Sequence, residues 1–221
     1  MSKRRFIFFD VGNTLLFPNR ERILEPLPEA QHPTLQQWQA LERRTKKEFD
    51  QSMSSGRVDH GFWWNFYSHL LDERNALSDK VQNALVQNTQ LSSNWDQILP
   101  GTCEILQRIG SEYQTAVISN ADGKIDQVLE QCGIADCFHA ITDSGLVGHE
   151  KPHPAIFEAA LRAMKAEPSE SLYVGDVYSI DYVGARNAGM DAVLFDVAGA
   201  YRDRGLPRVE SLGELEGWLR K

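Results

Sequence analysis

Short runs rich in β-branched and aromatic residues recur along this chain, and helix-patterned stretches sit between most of them. That alternation narrows the fold more than any other feature. The runs occupy residues 6–9, 115–119, 138–142, 172–175 and 192–195, each four or five residues long. Brief, mostly apolar runs of this length read as strands buried in a sheet. Apolar residues recur every three to four positions over 102–109, 124–131, 154–164 and 180–188, which predicts helices there. Strands that alternate with helices build a parallel sheet covered on both faces, a doubly wound, Rossmann-like α/β core. Ligands bind such sheets beyond the carboxyl ends of the strands. Asp10, Ser119 and Asp176, far apart in the chain, all fall at those ends.

The stretch from about 18 to 94 has another character. It opens with the irregular, Pro-rich "PNRERILEPLPEAQHP" and continues through "TLQQWQALERRTKKEFDQSM", "DHGFWWNFYSHLLDE" and "LSDKVQNALVQNTQ". These segments read as amphipathic helices with no clear strand. The expected organisation is therefore a core made of 1–17 and 95–221, with a helical cap, 18–94, inserted after the first strand. Within the cap, Phe62, Trp63, Trp64, Phe66 and Tyr67 form a dense aromatic segment. Neighbours on a helix point about 100° apart, so Trp63 and Trp64 cannot both be buried on one narrow face. One of them is expected to face the cleft or a partner surface.

Bulk properties exclude several classes. The chain has 221 residues, 42% of them hydrophobic, enough for one full core with a smaller appended unit. A net charge of -8 does not favour nucleic acid. The basic runs Lys3-Arg4-Arg5 and Arg43-Arg44 with Lys46-Lys47 are short and read as solvated surface. No apolar run approaches the roughly 18 residues of a membrane span. The apolar run near the N-terminus leads straight into Asp10 and does not read as a signal peptide. Cys103, Cys132 and Cys137 are too few for a disulfide framework, and Cys132 and Cys137 lack the second ligand pair of a metal site. A cytoplasmic protein, monomer or homodimer, is the expectation.

The strand-end residues suggest a chemistry when taken together. Asp10 and Asp176 bring two carboxylates to one edge, and Asp181 follows in "VGDVYSID". Hard oxygen ligands gathered at one place suit Mg²⁺, which binds one or two carboxylates, water and substrate phosphate. Ser119 and Asn120, in "VISNADG", add a hydroxyl and an amide, and Lys151, in "GHEKPHP", adds a cation. A nucleophile, a metal and donors for oxyanions are the parts that phosphoryl transfer needs.

Four motifs in order, "FFDVGNTLLF", "VISNADG", "EKPHPAIFEAAL" and "YVGDVYSIDYVGARNAGM", give the chain its resemblance to the haloacid dehalogenase-like hydrolases. Within that superfamily it resembles the phosphatase-like branch with a helical cap after the first strand. The resemblance covers most of the chain, the cap matching only in length and character. It implies that Asp10 is the nucleophile and forms an aspartyl-phosphate. It implies that the Gly12 backbone carbonyl, Asp10, Asp176 and Asp181 serve Mg²⁺. Ser119, Asn120 and Lys151 would bind the phosphoryl group of a small phosphorylated substrate, and Lys151 would also offset charge on Asp10. Asp181 is alternatively a residue that positions Lys151, or the N-cap of the following helix. Asn13 and Thr14 would shape the turn.

Gly12 departs from the family pattern. Typical phosphatases of this family carry a second aspartate there, which protonates the leaving oxygen and then activates water. Glycine keeps the carbonyl for the metal and deletes a proton-transfer group that contributes about 10²–10⁴-fold. His149, or His60 and His69 in the cap, are candidate substitutes; His153 reads as a helix-start residue. Three readings follow. The first is a hydrolase for substrates with good leaving groups, or one whose acid comes from elsewhere. The second is a protein that binds phosphate or a partner without turnover. The third is a 2-haloacid dehalogenase, although retention of Asp176 argues for a metal, because paired acids raise each other's pKa unless a cation lies between them.

Overall fold

The computed structural model describes residues 4–55 and 61–220. The chain opens with strand β1 (Phe6–Phe9) and the two-residue β2 (Leu16–Phe17). Helices α1 (Arg20–Ile23), α2 (Leu35–Ser55), α3 (Phe62–Glu73) and α4 (Asp79–Gln90) follow. β3 (Gln97–Ile98) then pairs antiparallel with β2, so the chain leaves and re-enters the core through a small two-stranded ribbon. The rest alternates: α5 (Thr102–Glu112), β4 (Gln114–Ser119), α6 (Ile125–Gln131), β5 (Ala140–Asp143), α7 (Ser144–Val147), α8 (Pro154–Met164) and β6 (Ser171–Gly175). α9 (Val183–Asn187), β7 (Asp191–Phe195), β8 (Arg208–Val209) and α10 (Leu212–Leu219) complete it.

Six strands form one sheet in the order β5-β4-β1-β6-β7-β8, and every neighbouring pair is parallel. The chain moves outward from β1 through β4 to β5, then crosses to the other side for β6, β7 and β8. The direction reverses at β1, and that reversal opens a crevice at its carboxyl end. Period-two alternation gives each face its own core. Ile7 and Phe9 pack with Leu106, Leu129 and Leu215 on one side. Phe6 and Phe8 pack with Ile156, Phe157 and Ala185 on the other. Both faces are covered, which is why β1 reads as an unbroken apolar run.

Helices α1 to α4 build a third core of Ile23, Trp38, Phe66, Tyr67, Leu70 and Leu85. No strand falls between Arg20 and Gln90 among the described residues. None of the described helices is long and apolar enough to cross a membrane.

Two elements differ from the sequence expectation. The run at 138–142 becomes a strand only over Ala140–Asp143, because Phe138 closes a turn through its N–H to the Ala135 carbonyl and packs edge-on to Phe9 at 6.1 Å. The helix expected over 180–188 starts as a π-helical turn, Tyr178–Tyr182, before α9. Wide turns of this kind frequently sit at functional sites. Here the turn carries Asp181. β8 and the β2–β3 ribbon, each strand only two residues long, had no periodicity to predict them.

Candidate active site

β1 delivers Asp10 to the centre of the sheet edge, with its N–H on the Val174 carbonyl at 2.8 Å. β4 on one side ends at Ser119, and β6 on the other side runs into Asp176. Asp10, Ser119, Lys151, Asp176 and Asp181 are all buried. Carboxylate oxygens of Asp10, Asp176 and Asp181 lie within 4.8 Å of one another. The turn after β1 passes through Asn13 in a left-handed conformation (φ 53), which Asn tolerates better than most residues. It returns Thr14 so that its hydroxyl reaches Asp10 Oδ2 at 3.4 Å.

Lys151 is the hub. Its ammonium donates to Asp10 Oδ1 at 2.5 Å, to Asp181 Oδ1 at 2.8 Å and to the Tyr173 hydroxyl at 2.8 Å. Tyr173 in turn donates to Asp181 Oδ1 at 3.0 Å. The Asn120 side chain accepts from the Lys151 N–H (2.7 Å) and donates to its carbonyl (3.1 Å), which fixes the lysine's backbone. Asp181 is held from its other oxygen by the Val177 N–H at 2.9 Å. Gly175 makes this approach possible: a Cβ there would lie 2.6 Å from the Asp181 carboxyl carbon.

The sequence reading missed a second buried lysine. Lys46, assigned to solvated surface, is 1% exposed. It projects from α2 and pairs with Asp176 Oδ2 at 2.8 Å and with Glu42 at 2.7 Å. One helical turn further on, Asp50 accepts from the Ser179 N–H at 3.0 Å. Of the rest of the basic run, Arg43 donates to the Ala198 carbonyl, while Arg44 and Lys47 remain half exposed, as expected, in surface pairs with Glu48 and Asp203. Glu42, Lys46 and Asp50 recur at four-residue spacing, so they share one face of α2. That spacing was the available signal.

Burial sets the electrostatics. It raises Asp10 to about 6 and Asp176 to about 7, against the pull of Lys151 on the first and Lys46 on the second. Burial alone would lower both lysines, but their carboxylate partners outweigh it and hold each ammonium above the usual range. Asp10, Asp176, Asp181 and Glu42 are four buried carboxylates, and among the described residues of this cluster only Lys46 and Lys151 oppose them. With all four ionised, the surplus is two negative charges, which burial resists by raising Asp10 and Asp176. A divalent cation with hard oxygen preferences fits that donor set.

Gly12 abuts an indole. A Cβ on Gly12 would lie 3.3 Å from the Trp95 ring. Trp95 is fixed by its N–H to the Thr89 carbonyl at 2.8 Å and by an edge contact with Trp63 at 5.5 Å. His149 is exposed and stacked on His153, which caps α8, and His69 is engaged by Glu48 at 2.6 Å. Neither His149 nor His69 lines the cavity above Asp10. His60 lies outside the described residues, as does Lys3.

That cavity has a volume of about 650 Å³ and reaches from Asp10, Ser119 and Lys151 to α2, α3 and α4. The aromatic segment divides: Phe66 and Tyr67 are buried in the helical core, whereas Phe62, Trp63 and Trp64 line the cavity. Arg22 pairs with Asp96 at the surface.

A family model described as haloacid dehalogenase-like hydrolase matches residues 5–189. The chain is 36% identical over 121 residues to a haloacid dehalogenase-like hydrolase domain-containing protein 3 of Xenopus laevis, a match covering 53% of this chain and 49% of that relative. The chain therefore spans about half the length of that relative. It is 41% identical over 97 residues to a glyceraldehyde 3-phosphate phosphatase of Methanothermobacter thermautotrophicus, covering 43% of each. The HAD-hydrolase YfnB of Bacillus subtilis, crystallised with magnesium, shares the fold with a TM-score of 0.72, 18% identity and complete coverage of both chains.

Proposed function

This chain belongs to the haloacid dehalogenase-like hydrolases, and from that premise we propose that it is a Mg²⁺-dependent hydrolase of a small phosphorylated metabolite that works through an aspartyl-phosphate on Asp10. The observation that carries the reading is the cluster at the sheet edge: three carboxylates within 4.8 Å, with Lys151 bonded to two of them. The phosphatase named among its relatives supports the same class.

In this reading Asp10 attacks phosphorus, and its carboxylate is kept in place by Lys151 and Thr14. Ser119 and Lys151 hold the phosphoryl oxygens, while Asn120 orients Lys151 through its backbone. Asp10, Asp176, Asp181 and the Gly12 carbonyl would hold Mg²⁺, which when bound supplies charge neutralisation for the transferred group. Lys46 steadies Asp176 from the helical side. Residues 18–94 act as a cap over the core of 1–17 and 95–221, and closing it would exclude water. The three cysteines are free thiols, which suits a cytoplasmic setting.

One observation favours a second reading, a protein that binds phosphate or a partner without turnover. Position 12 carries no acid, and a side chain there would press on the Trp95 ring. The two readings separate on phosphate release from acetyl phosphate and p-nitrophenyl phosphate with Mg²⁺, beside Asp10→Asn. Release that disappears in the variant supports the hydrolase; release no greater than the variant's supports the binding protein.

A further inference from the structure

The reading above leaves the leaving group unspecified, and two independent features of the cavity bear on it. The first is the wall beside Gly12. Trp95 is held by Thr89 and Trp63, so its apolar ring lies beside Gly12 on the cavity wall. Among the described lining residues, the titratable ones are Asp10, Asp122, Glu150, Lys151, Asp176 and Asp181. All belong to the α/β core. Asp122 is tied to the Ser92 hydroxyl at 2.5 Å, and Glu150 is exposed at the rim. Among the described residues that line the cavity, the helical side contributes no acid.

The second feature is what that side does offer. From that side Phe49, Phe62, Trp63 and Trp64 bring aromatic side chains to a cavity of about 650 Å³, and Trp95 joins them from the core. A polyol or sugar phosphate would bury several hydroxyls there, and those against the rings lack partners; among the helical side's described polar lining residues, Thr89 and Ser92 are already bonded to Tyr67 and Asp122, which leaves Gln90. A ring stacks or packs edge-on against such walls favourably. The volume also falls in the range of cavities that take drug-sized ligands, roughly 300–1,000 Å³, well beyond a three-carbon phosphate.

Resting on the hydrolase reading, we infer that the substrate is an aryl phosphate monoester, whose phenol departs as phenolate against the Trp95–Trp63 wall without being protonated by the enzyme. The Asp10 carboxylate forms a bond to phosphorus, and the bond from phosphorus to the phenolic oxygen breaks, with its electron pair leaving on that oxygen. The phenolate takes its proton from bulk water. Water then attacks phosphorus of the aspartyl-phosphate, the Asp10 carboxylate leaves, and both protons of that water remain on the phosphate released as dihydrogen phosphate.

The test is a series of ring-substituted phenyl phosphates that differ in phenol pKa, assayed on the full chain with Mg²⁺ beside Asp10→Asn, acetyl phosphate and glycerol 3-phosphate. The inference expects kcat/KM to fall about 10²-fold or more from the most acidic phenol to the least, the span that a general acid would level. It expects glycerol 3-phosphate to be the poorest substrate. It also expects Trp63→Ala to raise KM for naphthyl phosphate about fivefold more than for acetyl phosphate. A flat dependence on phenol pKa overturns it, because a proton donor must then exist. So does glycerol 3-phosphate turning over as well as the aryl esters, or Trp63→Ala raising both KM values equally. Asp10-dependent release from acetyl phosphate alone overturns the inference and keeps the hydrolase; no release from any compound overturns both.

Discussion

Lys46 Nζ lies 2.8 Å from Asp176 Oδ2, a direct ion pair between the inserted helices and the carboxyl edge of the sheet. Both partners are buried, and Glu42 shares the ammonium. Removing one partner of a buried pair leaves the other charge uncompensated, at a cost of about 3–5 kcal/mol. Lys46→Met should therefore lower unfolding stability by about that amount in urea. Mg²⁺ should restore more stability to this variant than to the wild type, because a cation bound at Asp176 relieves the orphaned acids. A Lys46→Met protein as stable as wild type without Mg²⁺ would contradict the pairing.

Tyr173 links Lys151 to Asp181 through one hydroxyl. Tyr173→Phe keeps the ring that packs on Phe157 and removes that link together with the hydroxyl's contact to the Ile118 carbonyl. Loss of a buried hydrogen-bonding group costs about 1–3 kcal/mol. The variant should lose stability in that range, and kcat should fall more than KM rises, since Lys151 loses orientation and keeps its charge.

Gly175, lacking a Cβ, lets Asp181 lie against the end of β6. A Cβ there would meet the Asp181 carboxyl at 2.6–2.9 Å. Gly175→Ala should displace Asp181 at an overpacking cost of about 1–3 kcal/mol. Mg²⁺ affinity, read by calorimetry, should weaken while the far-ultraviolet circular dichroism stays that of the wild type.

The scaffold was legible in the chain because each central strand is buried on both faces and so reads as an apolar run. Phe6, Phe8 and Tyr173 face one core while Ile7, Phe9 and Val174 face the other. Asp10, Ser119, Asp176 and Lys151 were legible for the same reason: they end those runs or lie in motifs with fixed gaps. Lys46 was not, because burial of a charge depends on what docks against it, and it sits among other charges on α2. Trp95 was not, because 82 residues of sequence lie between it and Gly12 and no local pattern announces the contact. The π-helical turn escaped too, since its backbone widening serves the placement of Asp181 and leaves no periodic trace.

Gly12 and Trp95 should behave as a coupled pair. Gly12→Asp forces the indole aside and should destabilise by about 1–3 kcal/mol. Trp95→Ala should cost about 3–5 kcal/mol through the cavity it leaves. The double variant should be more stable than the two losses summed, because the carboxylate then occupies space the ring has vacated. Strict additivity in a denaturation cycle would contradict the packing relationship.

The central claim is that Asp10 carries the phosphoryl group. The most direct measurement is an acid quench of the enzyme during turnover of acetyl phosphate with Mg²⁺, followed by peptide mass analysis. The account predicts one added phosphoryl group on the peptide bearing Asp10 and none on the same peptide of Asp10→Asn. A peptide that stays unmodified while phosphate is being released, or a phosphoryl group found on another residue, would contradict it.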